Sequence, residues 1–286
     1  MAIRIKTTLT LTLAGVISAA LLPTTPVSSA DSLPSFKPMA RGALANDSIY
    51  FVMTDRFENG DYSNDNAGVP GGVAVNGLDK KDISYFHGGD FVGLTSRLPY
   101  IKDMGFTSIW ITPPVVQNWL QIGSGAYHGY WGTDFTTVDP HYGTEAEFKA
   151  MVTKAHQLGL KVIVDIVANH TGDIIQNSYG LYNYVSLDMA PYKDANGKTF
   201  DLAKFVGKKT FPKLDAKKSF PRPPVVSKAN KNVKKPAFLN DLTNYHNRGD
   251  STFSGESSIY GDFFGLDDLF TEKPEVVNGM IKLWSS

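Results

Sequence analysis

Three short stretches of this chain carry residue types that do chemistry rather than packing. Val162-Ile163-Val164-Asp165-Ile166-Val167-Ala168-Asn169-His170 runs an apolar strand, expected to be buried, into a carboxylate, an amide and an imidazole. α/β barrels place their active sites at the carboxyl ends of parallel strands. Tyr127-His128-Gly129-Tyr130-Trp131-Gly132-Thr133-Asp134 packs three aromatic rings and a histidine around two glycines. Flat aromatic faces suit the C–H face of a sugar ring, and an imidazole supplies a directional donor to a hydroxyl. Asp55-Arg56-Phe57-Glu58-Asn59-Gly60-Asp61-Tyr62-Ser63-Asn64-Asp65-Asn66 is dense in carboxylate and amide oxygens. Calcium takes six to eight such oxygens at about 2.3–2.6 Å, so the run is a plausible cage, although its spacing is not that of an EF-hand. Taken alone it reads equally as an Asx-rich surface turn.

The elements that must position these residues alternate between apolar runs and helical patterns. Residues 48–54 read as a first strand, and Leu94, Leu98, Ile101 and Met104 mark a helix closed by Gly105. Residues 107–111 form a second strand. Thr144 and Glu147 make a capping box, opening a helix that carries Phe148, Met151, Val152, Ala155 and Leu158 and stops at Gly159. Residues 161–167 give a third strand. This spacing, about fifty-five residues per unit, predicts repeated βα units with a parallel sheet whose polar ends face one way. Residues 171–262 lack sustained helical periodicity and are too long for a simple loop, so they read as a small inserted domain. Within them the basic, proline-rich run 208–235 reads as a solvated, partly mobile surface arm. Pro274–Trp284 is a helix with proline at its start and Val277, Ile281 and Trp284 expected on one face.

Residues 1–30 carry Arg4 and Lys6, an apolar run and a small-residue end at Ser28-Ser29-Ala30, the pattern of a secretory leader. The apolar run is short for a membrane span. The expectation is a secreted, extracellular protein with no membrane association after cleavage. Removing the leader leaves 26 basic against 28 acidic residues, which argues against a nucleic-acid partner. With no cysteine, an exported chain must rely on its core or on bound ions.

Together the strand-end motif Asp165-x-x-x-Asn169-His170 and the Tyr-His-Gly-Tyr-Trp motif at 127–131 resemble the α-amylase family, glycoside hydrolase family 13. The resemblance implies the first three units of a (β/α)8 barrel, with 31–171 as the amino-terminal part of that barrel, 172–262 as the inserted domain and 263–286 as the opening of its third helix. It implies α-1,4-glucan as substrate, with Tyr130 stacking on the glucose ring, His170 bonding the same ring, and Trp131 and His128 completing the contact. Asp165 is implied as an orienting group. Calcium is implied at Asn59, Asp61, Asn64, Asp65, the Gly88 carbonyl and Asp90, and a second ion at Asn169, the Ile259 carbonyl and Asp268. Phe264 lies near an aromatic position of the related glucanotransferases but reads as a core phenylalanine.

Retaining glycosidases need two carboxyl groups about 5–5.5 Å apart, one as nucleophile and one as acid. The family carries its nucleophile in a Gly-Phe-Arg-x-Asp pattern, and no such pattern occurs in this sequence. No catalytic residue is therefore assigned, and the expectation is a shortened chain that binds glucan and hydrolyses little alone. Two alternatives stay open. A separate carboxyl-terminal half could complete the barrel, as in a split amylase or glucanotransferase, or the chain could be a non-catalytic glucan-binding module.

Overall fold

A computed structural model describes residues 44–285, so the proposed leader at 1–30 lies outside the described residues. The chain divides after Ala45, and the unit from Asn46 on holds every element discussed here. In chain order these are β1 (Ile49–Val52), α1 (Phe91–Asp103), β2 (Ser108–Ile111), β3 (Val115–Gln117), β4 (Gly132–Val138), α2 (Glu145–Gln157), β5 (Lys161–Val164), β6 (His170–Thr171), β7 (Asp267–Asp268) and α3 (Pro274–Trp284). Among the described residues no helix is long and apolar enough to cross a membrane.

β1, β2 and β5 form a parallel sheet in that order, with Phe51, Trp110 and Ile163 in lateral register. Alternation along each strand sends Val52, Ile109 and Ile111 to one face, where Leu94, Leu98 and Ile101 of α1 and Met151 and Ala155 of α2 close a core. On the other face Phe51 and Trp110 meet edge to face at 5.2 Å and remain exposed. The helix signals act as read: Glu147 and Thr144 bond reciprocally at the start of α2, while Gly105 and Gly159 take positive φ just past α1 and α2. Met104 departs from the expected stripe. It caps α1 and is exposed, because the apolar face ends at Ile101.

The third strand is shorter and less buried than its composition suggests. It ends at Val164, its Val162, Ile163 and Val164 are only half-buried, and Ile166 is exposed, since β5 is an edge strand packed on one face. An element with no clear sequence signal follows β2. β3 and β4 pair antiparallel, with irregular register, and hold the aromatic motif in the loop between them.

The segment after β6 is built on short turns around its own aromatic core of Tyr192, Leu202, Phe220 and Phe270. It returns through β7, which pairs antiparallel with β6. The 208–235 run is not a solvated arm throughout. Phe220 is buried, Phe211 and Leu214 pack beside it, and Lys234 is fully buried. In α3, Val276 and Met280 face inward while Val277 and Ile281 are exposed, a correction to the expected face; only Trp284 packs as expected, edge to face on Phe135 at 5.9 Å. The packed stripe is the one that meets Leu239, Tyr245 and Leu269.

Candidate functional site

Four sequence-separated segments meet at the carboxyl ends of β2 and β5. Asp165, the residue after β5, accepts from the Tyr130 hydroxyl at 2.9 Å and from Trp110 Nε1 at 3.2 Å, both on Oδ2. His170 donates through Nε2 to the Tyr130 carbonyl at 3.1 Å. His128 lies nearly parallel to Tyr130 with centroids 5.8 Å apart and meets Trp131 edge-on at 4.7 Å. The structure thus brings Tyr130, Trp131, His128, His170 and Asp165 into one cluster.

The loop geometry follows from local demands. Gly129 takes φ +86 and passes so close to Pro113 that an added Cβ would stand 2.2 Å from its carbonyl oxygen. His128 Nδ1 accepts from the Tyr130 backbone amide at 3.1 Å, so its proton sits on Nε2. Burial, aided by the nearby Arg56 charge, pushes His128 down to about 4, keeping it neutral. Arg56 itself lies over the Tyr127 ring at 3.8 Å and pairs with Asp55 at 2.8 Å. Burial also lowers His170, so its ring is a neutral donor at Nε2 and acceptor at Nδ1. Burial and the bond to Asp165 push Tyr130 up to about 12.

Sequence reasoning missed Trp110, Arg56 and Phe263. Trp110 was legible only as part of an apolar strand, and its role depends on which face the pleat turns outward. Phe263 stacks parallel to His170 at 6.3 Å and belongs to a cluster with Phe253 and Phe264 at 4.8–5.3 Å. Phe264 is 61% exposed with φ +52, which corrects its reading as a core residue. Its aromatic face is turned to solvent, and its neighbour Phe263 links it to His170.

The candidate ion ligands divide into two groups. Among the described residues no three His, Cys, Asp or Glu side chains form a group that could hold a metal ion. The first loop offers mainly amide and carbonyl oxygens instead. Asn59 Oδ1 and both amide atoms of Asn64 are buried without a partner. Asn59 Nδ2 stands 2.5 Å from Asp65 Oδ1, and a Cβ on Gly88 would fall 2.3 Å from that same oxygen. Orphaned oxygens beside a carboxylate, at a glycine with no room for a side chain, suit a hard cation that displaces Lys80, whose ammonium pairs with Asp65 Oδ2 at 2.6 Å. Asp90 and Asp61 are engaged otherwise. Asp90 caps α1 through Gly93 N at 2.6 Å and also accepts from Gly60 N and Asp61 N, while Asp61 closes an Asx turn on Ser63.

The second group fits an ion poorly. Asn169 donates to Asp268 Oδ1 at 3.0 Å, but Asp268 Oδ2 is taken by His246 Nδ1 at 2.6 Å, and Glu272 holds the other imidazole nitrogen at 2.9 Å. Burial opposes charge on His246, yet the two carboxylates carry it up to about 9. A buried imidazolium already neutralises Asp268 there. Ile259 sits on the short helix Ser257–Tyr260.

Comparison with known proteins agrees with this geometry. Residues 51–286 match the family model described as alpha amylase, catalytic domain. An α-amylase of Streptomyces lividans is 43% identical over 279 residues, covering 94% of this chain and 30% of the relative. A cyclomaltodextrin glucanotransferase of Bacillus sp. (strain 6.6.3) is 30% identical over 292 residues, covering 98% of this chain and 34% of its own length. The chain thus spans about a third of the length of these curated relatives. Among solved structures, an Anoxybacillus α-amylase superposes with a TM-score of 0.51 at 30% identity, covering 83% of this chain and 37% of that one. CldA, a cyclomaltodextrin glucanotransferase with a three-domain ABC distribution, superposes with a TM-score of 0.52 at 29% identity, covering 84% and 42% respectively.

Proposed function

The chain belongs to the α-amylase family, and from that premise we propose that it forms the glucan-gripping part of a secreted, calcium-binding, retaining α-amylase-type glycoside hydrolase acting on α-1,4-glucans. The carrying observation is the Asp165–Tyr130–His170 arrangement, in which one ring is fixed at both its hydroxyl and its backbone carbonyl. A ring held this way loses little further freedom when a pyranose stacks on it, so less of the binding energy goes into ordering. His170 would exchange its bond to the Tyr130 carbonyl for one to a sugar hydroxyl, and Trp131 and His128 wall the cleft. In this reading the open sheet is the first part of a (β/α)8 barrel, residues 172–262 are the inserted domain, and residues 1–30 direct export.

Calcium would be held by Asn59, Asn64, Asp65 and the Gly88 carbonyl, where it would supply charge that pins the loop after β1 to the segment before α1. Asp61 and Asp90 would act beside it as backbone supports. No reacting carboxylate is assigned to this chain.

A second reading, glucanotransferase rather than hydrolase, is favoured by one observation. Phe264 is exposed and clustered with Phe253 and Phe263 near His170, a surface that would guide a long glucan.

Electrophoresis of the purified chain in gels containing soluble starch tests the glucan reading. Retarded migration, abolished by Tyr130→Ala, supports it, and unretarded migration of both forms overturns it. Incubating the chain with amylose together with a complementary carboxyl-terminal half that supplies the reacting carboxylates, and measuring reducing ends against cyclic products, separates hydrolysis from transfer.

A further inference from the structure

We propose that Lys234 and Lys235 form a clasp that positions the two halves of the glucan cleft, Lys234 fixing the bridge that carries His170 and Lys235 fixing the strand that follows Tyr130 and Trp131. The inference rests on the glucan reading of those residues and adds to it positioning residues from the inserted segment.

Lys234 is buried to 2% exposure, and its ammonium pairs with Asp267 Oδ2 while lying 4.1 Å from the Tyr245 ring centroid. The Asp267 carboxylate also accepts from the amides of Ile174 and Ile175 at 3.1 Å and from Thr171 Oγ1 at 3.4 Å. All of these donors except Lys234 lie within five residues after His170. Asp267 is itself a member of β7, which pairs with β6 through Asp267–Thr171 and Asp268–His170. One carboxylate therefore gathers the loop that follows the sugar-contacting histidine, and one buried ammonium neutralises it.

The next residue reaches the other half. Lys235 Nζ pairs with Asp134 Oδ2 at 2.8 Å, its amide donates to the Thr133 carbonyl at 2.9 Å, and its carbonyl accepts from Phe135 N at 2.9 Å. Thr133 to Phe135 lie in β4, directly after Trp131. Asn240 fixes the clasp from behind, accepting from the Lys234 amide at 3.1 Å and donating to its carbonyl at 2.6 Å.

A buried ion pair adds little net stability, because desolvation offsets the attraction, but removing one partner leaves an uncompensated buried charge. What such a pair specifies best is register. A slip of one residue between β6 and β7 would turn His170 to the opposite face. The exposed Lys235–Asp134 pair is worth little by itself, and the ladder of backbone bonds carries that half.

The test uses the whole chain with Lys234→Met and the neutral double variant Lys234→Met/Asp267→Asn, measuring amide hydrogen exchange and maltoheptaose affinity. Lys234→Met is expected to speed exchange at Ile174 and Ile175 by about tenfold or more and to weaken maltoheptaose by about tenfold, with β1 and β2 amides unchanged. The double variant strands no charge and is the form that folds should the single one not. It is expected to show the same local acceleration and a smaller loss of affinity. Wild-type exchange and affinity in either folded variant overturns the clasp, as does equal acceleration in β1 and β2. Wild-type protein that fails to bind maltoheptaose overturns the glucan reading instead, and the exchange pattern then decides the clasp alone.

Discussion

The hydroxyl of Tyr130 donates to Asp165 Oδ2 at 2.9 Å across 35 residues of sequence, so the carboxylate at the end of β5 fixes the aromatic ring of Tyr130. Trp110 Nε1 shares that oxygen from β2. The sheet thereby sets the angle of a ring that belongs to a distant loop.

Replacing Asp165 with Asn removes the charge but keeps an acceptor. Tyr130 is expected to titrate lower, moving from about 12 toward its ordinary value near 10, as followed by ultraviolet absorbance during an alkaline titration. The sign for the wild type follows from a folded value above the unfolded one: stability from this group is present below pH 10 and is lost as pH rises through about 12. Maltoheptaose affinity, read by tryptophan fluorescence, is expected to weaken about tenfold in Asp165→Asn, in keeping with loss of a charge-assisted bond. An unchanged Tyr130 titration would show that burial alone sets it.

His128 gives an acid limit. Its folded value near 4 lies below the unfolded value of 6.5, so the unfolded chain binds the extra proton first. Stability from this group is present above pH 6.5 and is lost as pH falls through about 4, to the order of 3–4 kcal/mol for a shift of this size. Urea midpoints measured across that window should fall with acid, and His128→Gln should flatten the slope. A slope equal in both proteins would assign the acid sensitivity to other groups.

Calcium is expected to stabilise the chain by about 2.7 kcal/mol at a hundredfold excess over its dissociation constant, raising the thermal midpoint by roughly 5–10 °C. Gly88→Ala places a methyl 2.3 Å from Asp65 Oδ1 at φ +88 and should remove the calcium-dependent part of that shift. Calorimetry with added calcium and with chelator reads both. A midpoint indifferent to calcium in the wild type would dismiss the first-loop site.

In α3, Met280→Ala should cost about 2–4 kcal/mol, while Ile281→Ala should change stability by less than about 0.5 kcal/mol. Met280 is buried against Tyr245 and Leu269, whereas Ile281 is 60% exposed. Denaturant unfolding of the two variants distinguishes the packed face from the open one, and equal losses would contradict the observed rotation of the helix.

The helices were legible because their signals are local. Thr144, Glu147, Gly105 and Gly159 act within one turn of their own positions, and each does what its residue type favours. The parallel order of β1, β2 and β5 also followed from alternating patterns. The β3–β4 hairpin was not legible, since its strands pair irregularly and its sequence carries no two-residue turn. Nor was the interior of the 208–235 run: its composition is that of a solvated segment, yet Phe220 and Lys234 are buried by partners far away in sequence.

Residue types and spacing marked side chains with the chemistry to touch a sugar or a cation, and the resemblance to the α-amylase family implied their roles, because aromatic faces, imidazoles and clustered oxygens keep their chemistry wherever they are placed. Only the tertiary structure decided which of them meet. Asp165 turned out to hold Tyr130, Asp268 to be claimed by His246, Asp90 to accept from the Gly60 and Asp61 amides, and Phe264 to face solvent. The reason is physical: a carboxylate has few lone pairs, and which donors fill them depends on contacts between segments tens of residues apart, which no local pattern encodes.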